Sequence, residues 1–399
     1  MATLHNVTLT LSDGTMCDAW DRYTLSLSML RAGQPWTFSL WRSRDRQSAW
    51  DVLARKVKLF DTITVSVDGH AQLTGRIETL TRQAHGHGEC VMVISGRDLS
   101  GSAQSWDADP TVSIRNVTLE SALESIFSPL GLTVRLVDAA AARAVQSARP
   151  ASSQSMRRRR SPIDRAHPKP GEKAWSLAQS IVRRLGFMLW CAPRADGSVG
   201  IVVDVPDYDQ SPSYTLTRRL SGAGVGSGNV LGASEAFSVR EVPTDATVYT
   251  GSVRGAATSA RSRAVVVNAD IFNPDISRGF VSAVAERVIQ PRHARSDRAR
   301  TVLAAEREAE RIIADAMAGF YTYTATVQGH GQLVDGSPRL YAVNTTARVV
   351  DDVMIDATGS PLNRVLFVTD VEMSGSRQSG QTTTLTLVPL NSIVITPET

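Results

Sequence analysis

Apolar residues fall on every second position near both ends of this sequence and on every third or fourth position in its middle. That change of period dictates most of what the chain can fold into. Val7, Leu9 and Leu11 alternate with polar neighbours, as do Tyr23, Leu25, Leu27 and Met29, and then Ile63, Val65 and Val67. Successive side chains of a strand point to opposite faces, so this spacing predicts strands with one buried side. Asp13-Gly14 and Asp68-Gly69 supply hairpin turns. Leu73–Ile94 reads as one long hairpin with its tip at His85-Gly86-His87-Gly88. Residues 1–108 therefore form a first β-domain.

Residues 109–212 change to a helical period. Leu119, Ala122, Leu123, Ile126 and Phe127 share one helix face, Thr118 stands where an N-cap belongs, and Pro129 with Gly131 ends the run before a strand over Leu132–Val137. Ala174, Leu177, Ala178, Ile181 and Leu185 define a second helix, stopped by Gly186. Phe187–Cys191 and Val199–Val205 follow as a hairpin around Asp196-Gly197. Between the two helices, Ala139–Gly171 is rich in Ala, Ser, Arg and Pro and is expected to be an exposed loop.

Residues 213–399 open with a glycine-rich link, Gly222 to Gly228. Strands are expected near Phe237–Val242 and Ala246–Gly251, then an α/β insertion over about 255–320. The insertion ends in a helix at Arg298–Met317 with Val302, Ala305, Ala309, Ile312 and Ala316 on its packed face. The like-charge pairs Glu306/Glu310 and Arg307/Arg311 oppose an isolated helix, so tertiary packing must hold it. Tyr321–Val388 returns to strands. Within it Thr369–Met373 and Leu385–Val388 repeat the pattern of Gly75–Thr79 and Val91–Ile94, and Asn344–Val350 repeats Asp61–Val67. These matches point to one β-domain used twice.

A chain of 399 residues exceeds what one core supports, which agrees with several domains. No run of about 18 apolar residues is present, and the first residues lack the layout of a secretory signal, so synthesis and folding in a cytoplasm are expected. Cys17, Cys90 and Cys191 are odd in number and far apart, which argues for buried thiols over disulfides or a zinc module. The net charge of +4 is concentrated in one place. Residues 151–170 hold Arg157, Arg158, Arg159, Arg160, Arg165 and Lys169 against Asp164 alone, a surplus of five that leaves the rest of the chain at −1.

Searching for chemistry yields few candidates. The glycines at 222–228 lack the Lys-Ser/Thr of a phosphate loop and serve better as a link. His85 and His87 give two ligands on a turn, which is not a complete metal site. Asp107/Asp109 and Asp351/Asp352 are carboxylate pairs of the kind glycosidases use, yet neighbours along a strand point opposite ways. Arg157 to Arg160 offer accessible positive charge, but no aromatic residue lies among them to stack on bases. Contact with another protein or with DNA competes here with a simply solvated run. No catalytic residue, cofactor or metal is assigned.

The ordered series Ser95-Gly96-Arg97-Asp98-Leu99, Ile114–Glu120 and Pro129–Val134 resembles the baseplate hub protein of phage Mu and its relatives. Glu172–Leu177 with Arg184-Leu185-Gly186 and Asp196-Gly197 resembles the next part of that family, and Leu366–Glu372 with Gly380–Leu387 its end. No single motif is specific; the ordered set is. The resemblance implies a non-enzymatic virion protein of α+β, mainly β class, with two similar tube-like β-barrel domains and α/β domains between and inserted. It implies a homotrimeric ring that presents six barrels to a six-fold tail tube and three-fold symmetry to a spike, with tube, spike and neighbouring baseplate proteins as partners. DNA would pass through the channel. Type VI spike proteins share the architecture and continue into a needle; this chain stops at Thr399, so the needle is expected to be a separate protein. The segment 139–171 is long and basic for the family. A glycan-binding module over Thr118–Leu136, or a tail-associated hydrolase, is the alternative.

Overall fold

The alternating segments become strands whose apolar side faces inward. β1 (Val7–Leu11), β3 (Arg22–Ser28) and β5 (Thr62–Val67) bury Val7, Leu9, Leu11, Tyr23, Leu25, Leu27, Ile63, Val65 and Val67. The computed structural model describes residues 5–42, 47–84, 90–112, 114–136, 163–193, 198–219, 228–238, 240, 242–250, 263–267, 291–296, 302–317, 319–334, 337–355 and 360–393. The chain divides into two compact units. The first comprises Met1–Val205, Val327–Val343 and Thr369–Leu385, and the second Pro206–Thr326, Asn344–Val368 and Thr386–Thr399. The architecture is α+β, with strand predominating.

In the first unit β2 (Met16–Cys17), β4 (Pro35–Trp41), α1 (Gln47–Lys56), β6 (His70–Ala84) and β7 (Cys90–Asp98) complete the leading segment. The strands run in the order β2-β1-β5-β6-β7-β4-β3. Asp68 (φ 51°) and Gly69 (φ 81°) form the turn between β5 and β6, both left-handed as a two-residue hairpin of this kind requires. Trp36 is fully buried, and its indole N–H donates to the Arg97 carbonyl at 3.2 Å. A Cβ on Gly75 would stand 2.7 Å from that indole nitrogen, and one on Gly96 3.0 Å from the ring, so both positions need glycine. The long hairpin tip at 85–89 lies outside the described residues.

The helical middle forms a separate layer of the same unit. It holds α2 (Leu99–Ser105), β8 (Ile114–Val117), α3 (Leu119–Phe127), β9 (Val134–Leu136), β10 (Ile163–Ala166), α4 (Ala174–Arg184), β11 (Met188–Pro193) and β12 (Val199–Asp204). Thr118 caps α3 by accepting the Ser121 N–H at 3.3 Å. Gly131 (φ 69°) and Gly186 (φ 82°) take left-handed turns after α3 and α4. The expected faces of both helices enter one core with Leu189, Ile201 and Val203; of those residues only Leu185 stays half-buried. The segment expected to be a loop is corrected in one place. Ile163–Ala166 is a strand antiparallel to β8, with Arg165 in register with Arg115. A single strong apolar residue, Ile163, gives it no alternation to read; pairing with β8 makes it a strand.

The chain continues through β13 (Tyr214–Arg218), β14 (Val230–Phe237), β15 (Asp245–Thr250), β16 (Arg263–Val267), β17 (Pro291–Ser296), α5 (Val302–Met317) and β18 (Tyr321–Gln328). It ends with β19 (Gly331–Val334), β20 (Ser337–Leu340), β21 (Thr345–Ile355), β22 (Pro361–Ser376) and β23 (Gly380–Pro389). In the second unit α5 packs on the small sheet β16-β15-β17. Two expectations shift here. The strand foreseen at 237–242 lies earlier, as β14. On α5 the buried residues are Ala305, Ala309 and Ile313, while Val302 is 53% exposed. Ile312 and Ile313 are adjacent, so two neighbouring stripes satisfy the same period and the sequence alone does not choose.

The strand orders carry the main architectural result. Numbering β1, β3, β4, β5, β6 and β7 as one to six, the leading set is ordered 1-4-5-6-3-2. Numbering β13, β14, β18, β21, β22 and β23 the same way, the trailing set is also ordered 1-4-5-6-3-2. They differ at the first strand, since β1 is antiparallel to β5 whereas β13 is parallel to β21. The strands matched in sequence, β5 and β21, occupy equivalent places in the two orders, but one residue out of the expected register: the buried Ile63, Val65 and Val67 correspond to Ala347, Val349 and Asp351.

Candidate functional site

Of the candidate contact residues, Arg157, Arg158, Arg159 and Arg160 lie outside the described residues, and Arg165 stands on β10 opposite Arg115. His85 and His87 also lie outside the described residues, as do residues 221–227 of the glycine link. Gly228 is described: a Cβ there would meet the Thr217 carbonyl oxygen at 2.2 Å, which explains the glycine without any phosphate.

The carboxylate pairs are engaged in structure. Lys173 Nζ donates to Asp107 at 2.7 Å, and Asp109 accepts the Thr111 N–H and hydroxyl at 2.8 and 2.7 Å. Asp351 is fully buried. It accepts from Arg218 Nε at 3.0 Å, the Tyr323 hydroxyl at 2.7 Å and the N–H groups of Val353 and Met354 at 2.9 and 3.2 Å. Burial alone would raise its pKa; Tyr323, the backbone donors and Arg218 outweigh it and hold the carboxyl below its ordinary value. Asp352, the next residue, is half-buried and not part of this cluster. All three cysteines are free thiols; burial pushes Cys17 up to about 11 and Cys191 well above the ordinary thiol value. Among the described residues no group of three or more His, Cys, Asp or Glu could hold a metal, and no helix is long and apolar enough to cross a membrane.

Two buried polar clusters in the first unit escaped the sequence reading. His330 is fully enclosed on the turn between β18 and β19. The Thr383 hydroxyl donates to the Gly329 carbonyl at 2.6 Å, so toward His330 it accepts, and Nδ1 carries the proton at 3.0 Å. Nε2 then accepts from the Tyr23 hydroxyl at 2.6 Å. Tyr23 packs against Gly375, where a Cβ would stand 2.4 Å from the ring. His5 stacks on His330 at 5.5 Å and is itself bonded to Asp68 at 2.5 Å. Burial, then the nearby His5, lowers His330 to about 4, and burial raises Tyr23 far above the usual phenol value. Both are neutral at pH 7, so the chain of bonds ties strands together and neither donates nor takes a proton there.

The second cluster joins β7 to the α/β layer. Asp98 caps α2, accepting from Ser100 Oγ at 2.5 Å and Gly101 N at 3.2 Å, while Ser100 Oγ accepts the Gly33 N–H at 2.7 Å. Burial, only partly offset by these donors, raises Asp98 to about 6. The Asp98 cap with Ser100 and Gly101 is local and could have been found as an N-cap signal, whereas Tyr23 and His330 are 307 positions apart and carry no local signal. The proposed glycan module fails on its aromatic: Phe127 is fully buried against Trp175, ring centroids 6.2 Å apart, and offers no face to a sugar.

No protein-family profile matches the sequence, and no curated protein does. Solved structures match over the whole chain. A tail protein from Neisseria meningitidis is 20% identical with a TM-score of 0.72, covering 99% of this chain and 99% of its own. The 43 kDa tail protein of prophage MuSo2 from Shewanella oneidensis is 16% identical with a TM-score of 0.72, covering 97% and 99%. An E. coli component of the type VI secretion system, described as structurally similar to the T4 bacteriophage tail proteins gp27 and gp5, is 10% identical with a TM-score of 0.50, covering 98% and 79%. The fold of this chain is the fold of these tail proteins.

Proposed function

We propose that this chain, with the fold of phage tail proteins from end to end, is the structural hub of a contractile Mu-like tail or of a tail-derived injection particle. In this reading three copies form a ring that adapts a six-fold tail tube to a three-fold spike. The observation that carries it is the strand order 1-4-5-6-3-2 occurring twice in one chain. Two like strand sets per chain turn three-fold symmetry into pseudo-six-fold, provided each set closes as a tube-like barrel. Residues 1–108 then supply the first barrel, 109–212 an α/β domain with the basic segment 139–171, and 213–399 the second barrel with its insertion at about 255–320. The partners are the tube protein, the spike protein and neighbouring baseplate proteins, with DNA passing through the channel. The protein works in the virion tail after assembly in the bacterial host cytoplasm. It acts without catalysis. Light scattering on the purified protein combined with particle averaging in the electron microscope tests the reading. A trimer with a central channel is expected; a monomer without ring particles, or muramidase activity, overturns it.

A further inference from the structure

We infer that copies of this chain join by main-chain pairing, β14 of one copy lying along the outer edge of β6 of the next, an inference that deepens the trimeric reading above and rests on it. The chain itself contains a finished joint of this kind. β22 is the fifth strand of the trailing set, and β21 lies along it only as far as the pair Thr345–Val368. From Asp370 to Ser376 the edge is taken by β3, the second strand of the leading set, antiparallel over its whole length. Both pieces belong to the first unit. With that edge filled, Tyr23, Leu25 and Leu27 of β3 and Val371 and Met373 of β22 are buried.

The remaining strands of these two kinds are bare. β6 is the fifth strand of the leading set, and β5 lies along it only as far as the pair Thr62–Arg76. The Phe60 N–H closes that ladder on the Ile77 carbonyl, as the Asn344 N–H closes the other on Val368. Past this point β6 runs on beside β7 to Ala84, with no strand on its other edge among the described residues. Glu78, Thr79, Arg82, Gln83 and Ala84 are exposed there. β14 is the second strand of the trailing set and ends its sheet, with β18 its one neighbour in the order of described strands. Leu231 on it is 61% exposed and Phe237 42%, and Ser234 and Ala236 are exposed as well.

The occupant of the β6 edge is therefore a second copy. A bare strand edge is a row of main-chain groups that another strand satisfies, and those bonds supply the affinity of such joints. Within one chain β6 and β14 do not pair. An unrelated partner would account for one of the bare strands; a second copy accounts for both, in the arrangement that β3 and β22 already realise. The flanks agree. At the filled joint His330, on the turn after the third strand of the trailing set, bonds Tyr23 of the incoming β3 at 2.6 Å. At the bare one the corresponding insert, α1, stands by the edge, the Ala54 carbonyl accepting from Arg82 of β6 at 2.6 Å. Each copy offers one strand of each kind, so the joint is head-to-tail and copies add in one direction until the rotation closes.

The test uses the full chain carrying Cys90→Ser, which removes the half-buried thiol and leaves the buried Cys17 and Cys191. One cysteine is then added per chain, Thr81→Cys or Gln83→Cys on β6, Ala233→Cys or Ser234→Cys on β14. Light scattering follows association, and a short bismaleimide cross-links whatever thiols meet. Where one position lowers the melting temperature by more than about 2 °C, its neighbour on the same strand is read instead. A β6 variant co-expressed with a β14 variant is expected to move most chains into a cross-linked pair. Each variant alone should give none, because like strands do not meet in a head-to-tail joint. Associated copies without a cross-link in any combination overturn the inference and leave the trimeric reading standing. A cross-linked pair from one variant alone overturns it as well, since the joint would then be two-fold. Copies that never associate overturn the trimeric reading first and this inference with it.

Discussion

Asp351 and Asp352 are adjacent carboxylates with opposite roles, because neighbours on a strand face opposite sides. Replacing Asp351 with Ala leaves Arg218 and Tyr323 buried without their acceptor, and breaking such a pair costs about 3–5 kcal/mol. Replacing Asp352 with Ala is expected to change stability by less than about 0.5 kcal/mol. Urea unfolding of the two variants measures the contrast. Asp98 and His330 give a second prediction, in pH. The folded pKa of Asp98, about 6, exceeds its unfolded value of 3.8, so the folded chain holds the extra proton and stability falls as pH rises from about 4 to 6. The folded pKa of His330, about 4, lies below 6.5, so stability rises with pH from about 4 to 6.5. At about 1.4 kcal/mol per pH unit between the two values, each group is worth about 3 kcal/mol, and the two largely cancel. Relative to wild type, Asp98→Asn should therefore gain about 3 kcal/mol across that window and His330→Gln lose about as much. Parallel stability–pH curves for the three proteins would refute both assignments.

At the scale of elements, α3, α4 and the leading strands were legible because burial on one side enforces a period. β10 was not: Ile163-Asp164-Arg165-Ala166 has no alternation, and its strand state is imposed by β8. β14 was misplaced because its small residues, Gly232, Ala233, Ser234 and Ala236, hide the period of the flanking Val230 and Phe237. The buried ties were invisible for another reason, since Tyr23–His330 and Arg218–Asp351 link residues that only the finished sheets bring together. The same contrast sets a deletion boundary. Removing Ser152–Arg160 takes out residues too polar to bury apolar surface, and the melting temperature should stay within about 2 °C. Extending the deletion through Ala166 strips β8 of its partner and should lower it by about 4 °C, a loss of about 1–2 kcal/mol. Calorimetry on the pair decides; equal melting temperatures would mean that β10 adds nothing to the fold.

For the whole molecule, the distribution of charge matters more than its sum. A surplus of five positive charges sits in residues 151–170, on a chain otherwise at −1. The β8–β10 ladder sets Arg165 in register with Arg115 at the base of that segment. We propose that this charge serves a contact outside the subunit, with an acidic face of a neighbouring baseplate protein ahead of DNA. Exposed charges act over roughly 8 Å at physiological salt, so such a contact should weaken steeply as salt rises. Replacing Arg157 to Arg160 with serine removes four of the charges without touching any described packing. The variant is expected to keep the oligomeric mass and melting temperature of wild type while lowering the yield of complete tails, and its remaining assembly should lose most of its salt dependence. Normal tail yield with unchanged salt dependence would show the run to be solvated charge with no partner, and would leave the ring itself untouched.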